Sequence, residues 1–212
     1  MKHFNKALIA VCLSMSVASQ AQLVNQSFED PSLGNGVFTT TGINGWSHFG
    51  SVGVWNPSDN GHFSDPIPDG SQVGIVNTGG TVAQVSTTAL VEGDNSVSFW
   101  LGRRLDGIQG QTLVDVWGGG FANGGQVVGG TAIGFLVVDS SEIGVGEFVQ
   151  YTVTRSLLAG DPLIGQNIGV RFAILSGSQV DFDNVTINTV PEPATLLFLV
   201  PGLLLARRRR AN

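Results

Sequence analysis

Between residues 22 and 188 no stretch keeps a helical period. Short apolar runs are instead broken every few residues by Gly, Asn and Asp. The runs fall at 23–28, 45–56, 73–76, 81–85, 95–101, 112–117, 127–138, 148–155, 168–175 and 180–188. Several alternate at period two, which places successive side chains on opposite faces of a strand. Val97, Phe99 and Leu101 oppose Ser98 and Trp100, and Val114 and Val116 oppose Asp115 and Trp117. Val149, Tyr151 and Val153 oppose Gln150 and Thr152, and Val170, Phe172 and Ile174 oppose Arg171 and Ala173. About ten short strands with turn chemistry between them predict an all-β chain, a single β-sandwich of the jelly-roll type. Asn77-Thr78-Gly79-Gly80 reads as a compact hairpin turn between two strands. The glycine-rich stretch 118–130 reads as a loop or bulged hairpin.

Charge narrows the function. Residues 22–190 hold four arginines, no lysine and fifteen acids, a net charge of −11. Phosphate neutralisation needs a basic face, so nucleic-acid binding is excluded as an expectation. Such a domain suits a soluble surface protein or a cation binder.

The remaining charge sits at the ends. Lys2, His3 and Lys6 precede a short apolar run, and Ser19-Gln20-Ala21 offers small residues for cleavage between Ala21 and Gln22. Residues 1–21 therefore read as a signal peptide for a signal peptidase. Cleavage there removes Cys12, leaving no thiol and no disulfide. At the other end Pro191, Glu192 and Pro193 precede an apolar run over 194–206, then Arg207, Arg208, Arg209 and Arg210. This tail resembles the PEP-CTERM sorting signal of Gram-negative bacteria. The resemblance implies export, transient anchoring in the inner membrane, processing by an exosortase-type enzyme and delivery to the surface or biofilm matrix. The apolar run spans roughly 20 Å as a helix, short of a ~30 Å hydrocarbon core. It thus suits a short hydrophobic helix used as a transient anchor. The expected organisation is a signal peptide at 1–21, a jelly-roll domain at 22–188 and a sorting tail at 189–212.

Catalytic signatures are scarce. There is no His-Glu-x-x-His, no Gly-x-Ser-x-Gly and no phosphate-binding loop. The mature chain retains only His48 and His62, which disfavours a histidine-rich zinc site. Asp181 and Asp183 lie two apart and share strand parity. They can be read as turn-bound or solvated acids, as cation ligands, or as a carboxylate pair for glycoside hydrolysis. Trp46 and Trp55 read as core tryptophans or as stacking rings, with Trp46 expected in the core. Trp100 and Trp117 break the apolar parity of their strands. His48, Arg103 and Arg104 are further polar candidates.

Asn25-Gln26-Ser27-Phe28-Glu29, Ile43-Asn44-Gly45-Trp46, Pro68-Asp69-Gly70-Ser71-Gln72-Val73 and Asp181-Phe182-Asp183-Asn184-Val185 follow one another in an order that resembles galactose-binding-like jelly rolls, including carbohydrate-binding modules. That resemblance implies a structural Ca²⁺ where the first and last strands meet, held by Glu29 and Asp183, with Asn25 or Asp181 as further ligands. Strand parity puts Trp100, Asp115, Trp117, Gln150 and Arg171 on a face opposite the core, which the resemblance makes a sugar-binding face. The expected function is a non-enzymatic, exported protein that binds polysaccharide. A purely structural surface protein and a glycan hydrolase or lyase are the alternatives.

Overall fold

The computed structural model describes residues 23–57, 61–107 and 110–192. Apart from one 3-10 turn at Ser140–Glu142, the regular structure of the described residues is all strand. The strands are β1 (Ser47–Phe49), β2 (Val52–Trp55), β3 (Val73–Asn77), β4 (Thr81–Ala89), β5 (Gly93–Gly102) and β6 (Gly110–Gly118), followed by β7 (Phe121–Asn123), β8 (Gln126–Val128), β9 (Thr131–Asp139), β10 (Phe148–Leu157), β11 (Asn167–Gly177) and β12 (Gln179–Pro191). They form two five-stranded antiparallel sheets, β1-β4-β11-β6-β9 and β10-β5-β12-β3-β2, plus the small hairpin β7-β8. The fold is the expected all-β jelly-roll sandwich.

The alternation read from the sequence sets which faces meet. Val97, Phe99 and Leu101 of β5, Val114 and Val116 of β6, and Val170 and Phe172 of β11 all enter one core between the sheets. Rings hold its centre. Phe182 of β12 stacks on Phe172 of β11 with centroids 4.4 Å apart and planes 14° from parallel. Phe99 meets Phe172 edge-on at 5.4 Å, and Phe28 meets Phe182 edge-on at 4.9 Å. Trp46 is buried as expected, 5.6 Å from Phe28, with its Nε1 donating to the Val24 carbonyl at 3.0 Å. The glycine-rich stretch is the β7-β8 hairpin.

Two local expectations change. Residues 23–28 form a turn rather than a first strand, with Asn25 and Phe28 at φ 51° and 59°. Burial of Leu23 and Phe28 drives this, because a plug inserted into the core needs a bend that a flat strand lacks. The turn at 77–80 is present, closed by Gly80 N–H donating to the Asn77 carbonyl at 2.8 Å. It does not make a hairpin, because β3 pairs with β2 and β12 whereas β4 pairs with β1 and β11. A tight turn reverses the chain equally well at a corner between two sheets.

The cleavage residues Ala21 and Gln22, and the tail from Pro193 through Arg210, lie outside the described residues. Pro191 ends β12 opposite Gly93, and Glu192 follows it. Among the described residues no helix is long and apolar enough to cross a membrane.

Because Phe182 bridges the sheets and the amino-terminal plug, Phe182→Ala should cost about 3–5 kcal/mol, read as a lower denaturant midpoint in equilibrium unfolding.

Candidate active site

The outer face of the second sheet is covered, and a second apolar cluster lies under the cover. It consists of Trp55, Phe63, Val73, Ile75 and Phe148, with Ile67 and Trp100 packed against it. Register explains the set, since Trp55 faces Val73 across β2 and β3, and Ile75 faces Asp181 across β3 and β12. Three loops make the roof and bond to one another. Leu105 N–H donates to the His62 carbonyl at 2.8 Å, and Ser64 N–H and Arg103 N–H donate to the Gly146 and Glu147 carbonyls at 2.8 and 3.0 Å.

Beside this cluster opens a pocket of about 390 Å³, lined by Phe38, Trp55, His62, Ile75, Arg104 and Gln179 among others. The Arg104 guanidinium carbon lies 4.3 Å from the centre of the Trp55 ring, a cation–π contact worth on the order of 1 kcal/mol. Arg104 pairs with Asp106 through two nitrogens and donates to Gln179 Oε1. His62 stands edge-on to Trp55 at 4.7 Å, with Nδ1 3.5 Å from Asp106 Oδ2. Gln179 Nε2 donates to Asn77 Oδ1 at 3.0 Å. Asn77, Gln179 and Arg104 thus form one ordered polar wall facing the apolar one.

Asp181 lies under this wall. It shares the outer face of β12 with Gln179 and faces Ile75, both of which line the pocket. Only 2% of it is exposed, and its Oδ1 has no hydrogen-bond partner. Burial pushes its carboxyl up to about 7; the Arg104 charge pulls it down and the Asp106 carboxylate pushes it up. A carboxylic acid that holds its proton to near neutrality is suited to general acid–base work.

Two residues along the same face is Asp183. Its oxygens accept from the amides of Asp69 at 2.8 Å and Asn184 at 2.7 Å. Burial raises its carboxyl to about 8, the two amides oppose the rise, and the Asp69 and Glu29 charges add to it. Glu29 accepts from the amides of Ser71 at 2.8 Å and Gln72 at 2.7 Å. Residues 69–72 therefore bridge Glu29, near the chain's start, and Asp183, in its last strand. Asn25 is not part of it, because its amide group ties Asp30 and Asn44 together instead. Among the described residues no group of three or more His, Cys, Asp or Glu side chains is placed to hold a metal.

The five residues of the expected sugar face fall into two groups. Asp115, Trp117 and Arg171 meet on the outer face of the first sheet. Arg171 pairs with Asp115 through two nitrogens, and Trp117 Nε1 donates to Asp115 at 2.9 Å. Trp100 and Gln150 face each other on β5 and β10, in the second sheet. Shared strand parity had suggested one face, but parity cannot say to which sheet a strand belongs.

The pocket is a concave, aromatic-walled cavity, and Asp181 is buried beneath its Ile75 and Gln179 lining without itself lining it. The model of the HpiC1-like family, described as HpiC1 cyclase, matches residues 19–188. The chain belongs to that family. Its fold also matches a Stig cyclase, Fisc, from Fischerella sp. TAU, in complex with (3Z)-3-(1-methyl-2-pyrrolidinylidene)-3H-indole. That match has a TM-score of 0.67 at 21% identity and covers 84% of this chain and 100% of the other. A cyclase from Fischerella sp. TAU in complex with 4-(1H-indol-3-yl)butan-2-one matches with a TM-score of 0.66 at 19% identity, covering 82% and 99%. At such identities the likeness is one of fold. No curated protein matches the sequence.

Family membership corrects the functional expectations. A cyclase family replaces the PEP-CTERM and galactose-binding-like resemblances, and it overturns the non-enzymatic, polysaccharide-binding reading together with its structural and glycan-cleaving alternatives. The expected partners, an exosortase-type enzyme, polysaccharide and the inner membrane, give way to a small molecule. The reason is physical. Jelly rolls share turn and strand patterns whatever they bind, and this pocket assembles residues 36 to 179 without any contiguous motif. Phe38, Asn77 and Gln179 have no sequence signal of their own. Asp181 did have one, a carboxylate two residues from Asp183 on an otherwise apolar strand.

Asp181 and Asp183 hold protons in the folded state at pH values where the unfolded chain, with carboxyls near 3.8, has released them. Their contribution is complete below about pH 4 and is lost as pH rises through about 7 and about 8. Stability should fall across that window in urea titrations, and Asp181→Asn and Asp183→Asn should each flatten the fall.

Proposed function

We propose that this chain is a cyclase that closes a ring on a small, indole-bearing substrate in the pocket over β2, β3 and β12. The observation that carries the reading is the buried Asp181 carboxyl, with its free oxygen, beneath an aromatic-walled cavity. Family membership supplies the reaction class, and the two indole-containing complexes of similar fold suggest the substrate class.

In this reading the proton of Asp181 goes to the substrate and creates an electrophilic carbon. A π bond of the same molecule attacks it and forms the new carbon–carbon bond. Loss of a proton then restores neutrality and returns Asp181 to its acid form, so the reaction is an isomerisation with no redox change. The apolar wall of Trp55 and Ile75 excludes water that would otherwise capture the cation. Arg104, neutralised by Asp106, holds the polar wall in place without adding net charge beside the developing cation.

Asp181→Asn should bind 4-(1H-indol-3-yl)butan-2-one as the unmodified protein does by calorimetry. It should convert an indole with a tethered alkene to its equal-mass isomer at least about 100-fold more slowly. Isomerisation at an undiminished rate would remove Asp181 from the chemistry. Absence of indole binding to the unmodified chain would defeat the reading.

The corner of Glu29 and Asp183 fits a hard cation in one respect, since a buried carboxyl lies within the field of two other acids. Ca²⁺ held there by Glu29 and Asp183, with backbone carbonyls completing its shell, would let Asp183 ionise and would tie the amino-terminal turn to β12. The full-length protein should then melt higher in calcium than in chelator. The gain would be about 2.7 kcal/mol at a hundredfold excess over Kd. Equal melting temperatures would leave both as amide-bound acids. We further propose export from a Gram-negative cell through a leader ending at Ala21, which amino-terminal sequencing of the secreted protein checks by finding Gln22 first.

A further inference from the structure

We infer that Phe38 selects for a flat aromatic ring in the pocket by presenting its own ring to the face of the substrate; this rests on the cyclase reading of that pocket. Trp55, Phe63 and Ile75 are buried, at 5%, 8% and 2% exposure. The Trp55 ring is further occupied, with the Arg104 guanidinium over its face and His62 against its edge. Phe38 lines the same pocket and is 63% exposed. It is the aromatic side chain of the lining with surface left to give.

The backbone explains why an exposed ring is held there. Residues 36–42 run as an extended strap along β2. Gly36 N–H donates to the Asn56 carbonyl at 2.9 Å, Thr39 N–H to Val54 at 2.8 Å and Gly42 N–H to Val52 at 2.8 Å, while Asn56 N–H donates back to Val37 at 2.9 Å. The strap forms isolated bridges at Phe38 with Trp55 and at Thr41 with Val52. It lies so close that a Cβ on Gly53 would collide with the Thr39 carbonyl. With period two, Gly36, Phe38 and Thr40 turn one face to the pocket, and Thr39 and Thr41 line a separate depression on the other side. The strap fixes the Phe38 backbone while leaving its ring without a packing partner in the core clusters. An aromatic guest gains from ring–ring contact over and above the apolar area it buries, whereas a saturated guest gains only the area. Phe38 therefore discriminates by flatness, and the polar wall of Arg104, Asn77 and Gln179 fixes orientation.

Calorimetry on the full-length protein tests this with two probes that differ in the ring alone, 4-(1H-indol-3-yl)butan-2-one and 4-cyclohexylbutan-2-one. The unmodified protein should prefer the indole ketone. Phe38→Ala should weaken the indole ketone about tenfold and leave the cyclohexyl ketone within about twofold. Phe38→Tyr should restore indole affinity, and all variants should share one melting temperature because the ring is exposed. Equal losses for both probes, or unchanged indole affinity in Phe38→Ala, would overturn the role of Phe38 while leaving the cyclase reading intact. Failure of the unmodified protein to bind the indole ketone would defeat that reading, and this inference with it.

Discussion

The contact between Phe172 and Phe182 is the point on which the two sheets depend. Each ring comes from the middle of its own sheet, and their near-parallel stacking at 4.4 Å sets where β11 and β12 cross. Once Phe182 points inward, the pleat sends its neighbours Asp181 and Asp183 outward on β12. In a sandwich with a wetted outer face these acids would be ordinary surface groups. Here the loops at 61–70, 102–107 and 143–147 close over that face, so the same alternation that builds the core also buries two carboxylates.

Burial without a matched cation is costly, and the molecule deals with the two acids differently. Asp183 is given two backbone amides, which hold the bridging loop to β12. Asp181 keeps one oxygen unsatisfied, while Arg104, whose charge acts on it, pairs with Asp106 and stacks on Trp55. An arrangement optimised for stability alone would have turned Arg104 toward Asp181. Under the proposed function the unpaired oxygen is stability given up for a poised proton.

The first sheet shows the opposite solution. On its outer face the buried Asp115 is paired with the half-buried Arg171, and Trp117 closes the pair with its indole N–H. Every charge there is matched, and the cluster braces β6 against β11 where they lie side by side. The two faces thus separate a matched ion pair from a buried acid with an unsatisfied oxygen.

Much of this was legible in the residues themselves. Strand positions, the inward set Val97, Phe99, Val114, Val170 and Phe172, and the all-β class follow from period-two alternation and glycine punctuation, which are local steric properties of the chain. The meeting of Glu29 with Asp183 was legible only through resemblance to other jelly rolls. Tertiary structure alone decided that residues 23–28 bend into a plug, that the turn at 77–80 joins two sheets, and that Trp100 and Trp117 lie in different sheets. It alone decided that Phe38, Asn77, Arg104 and Gln179 surround one pocket. Alternation reports which side of a strand a residue takes, but strand order and loop closure arise from contacts among residues far apart in sequence. A pocket assembled from such contacts leaves no local pattern to read.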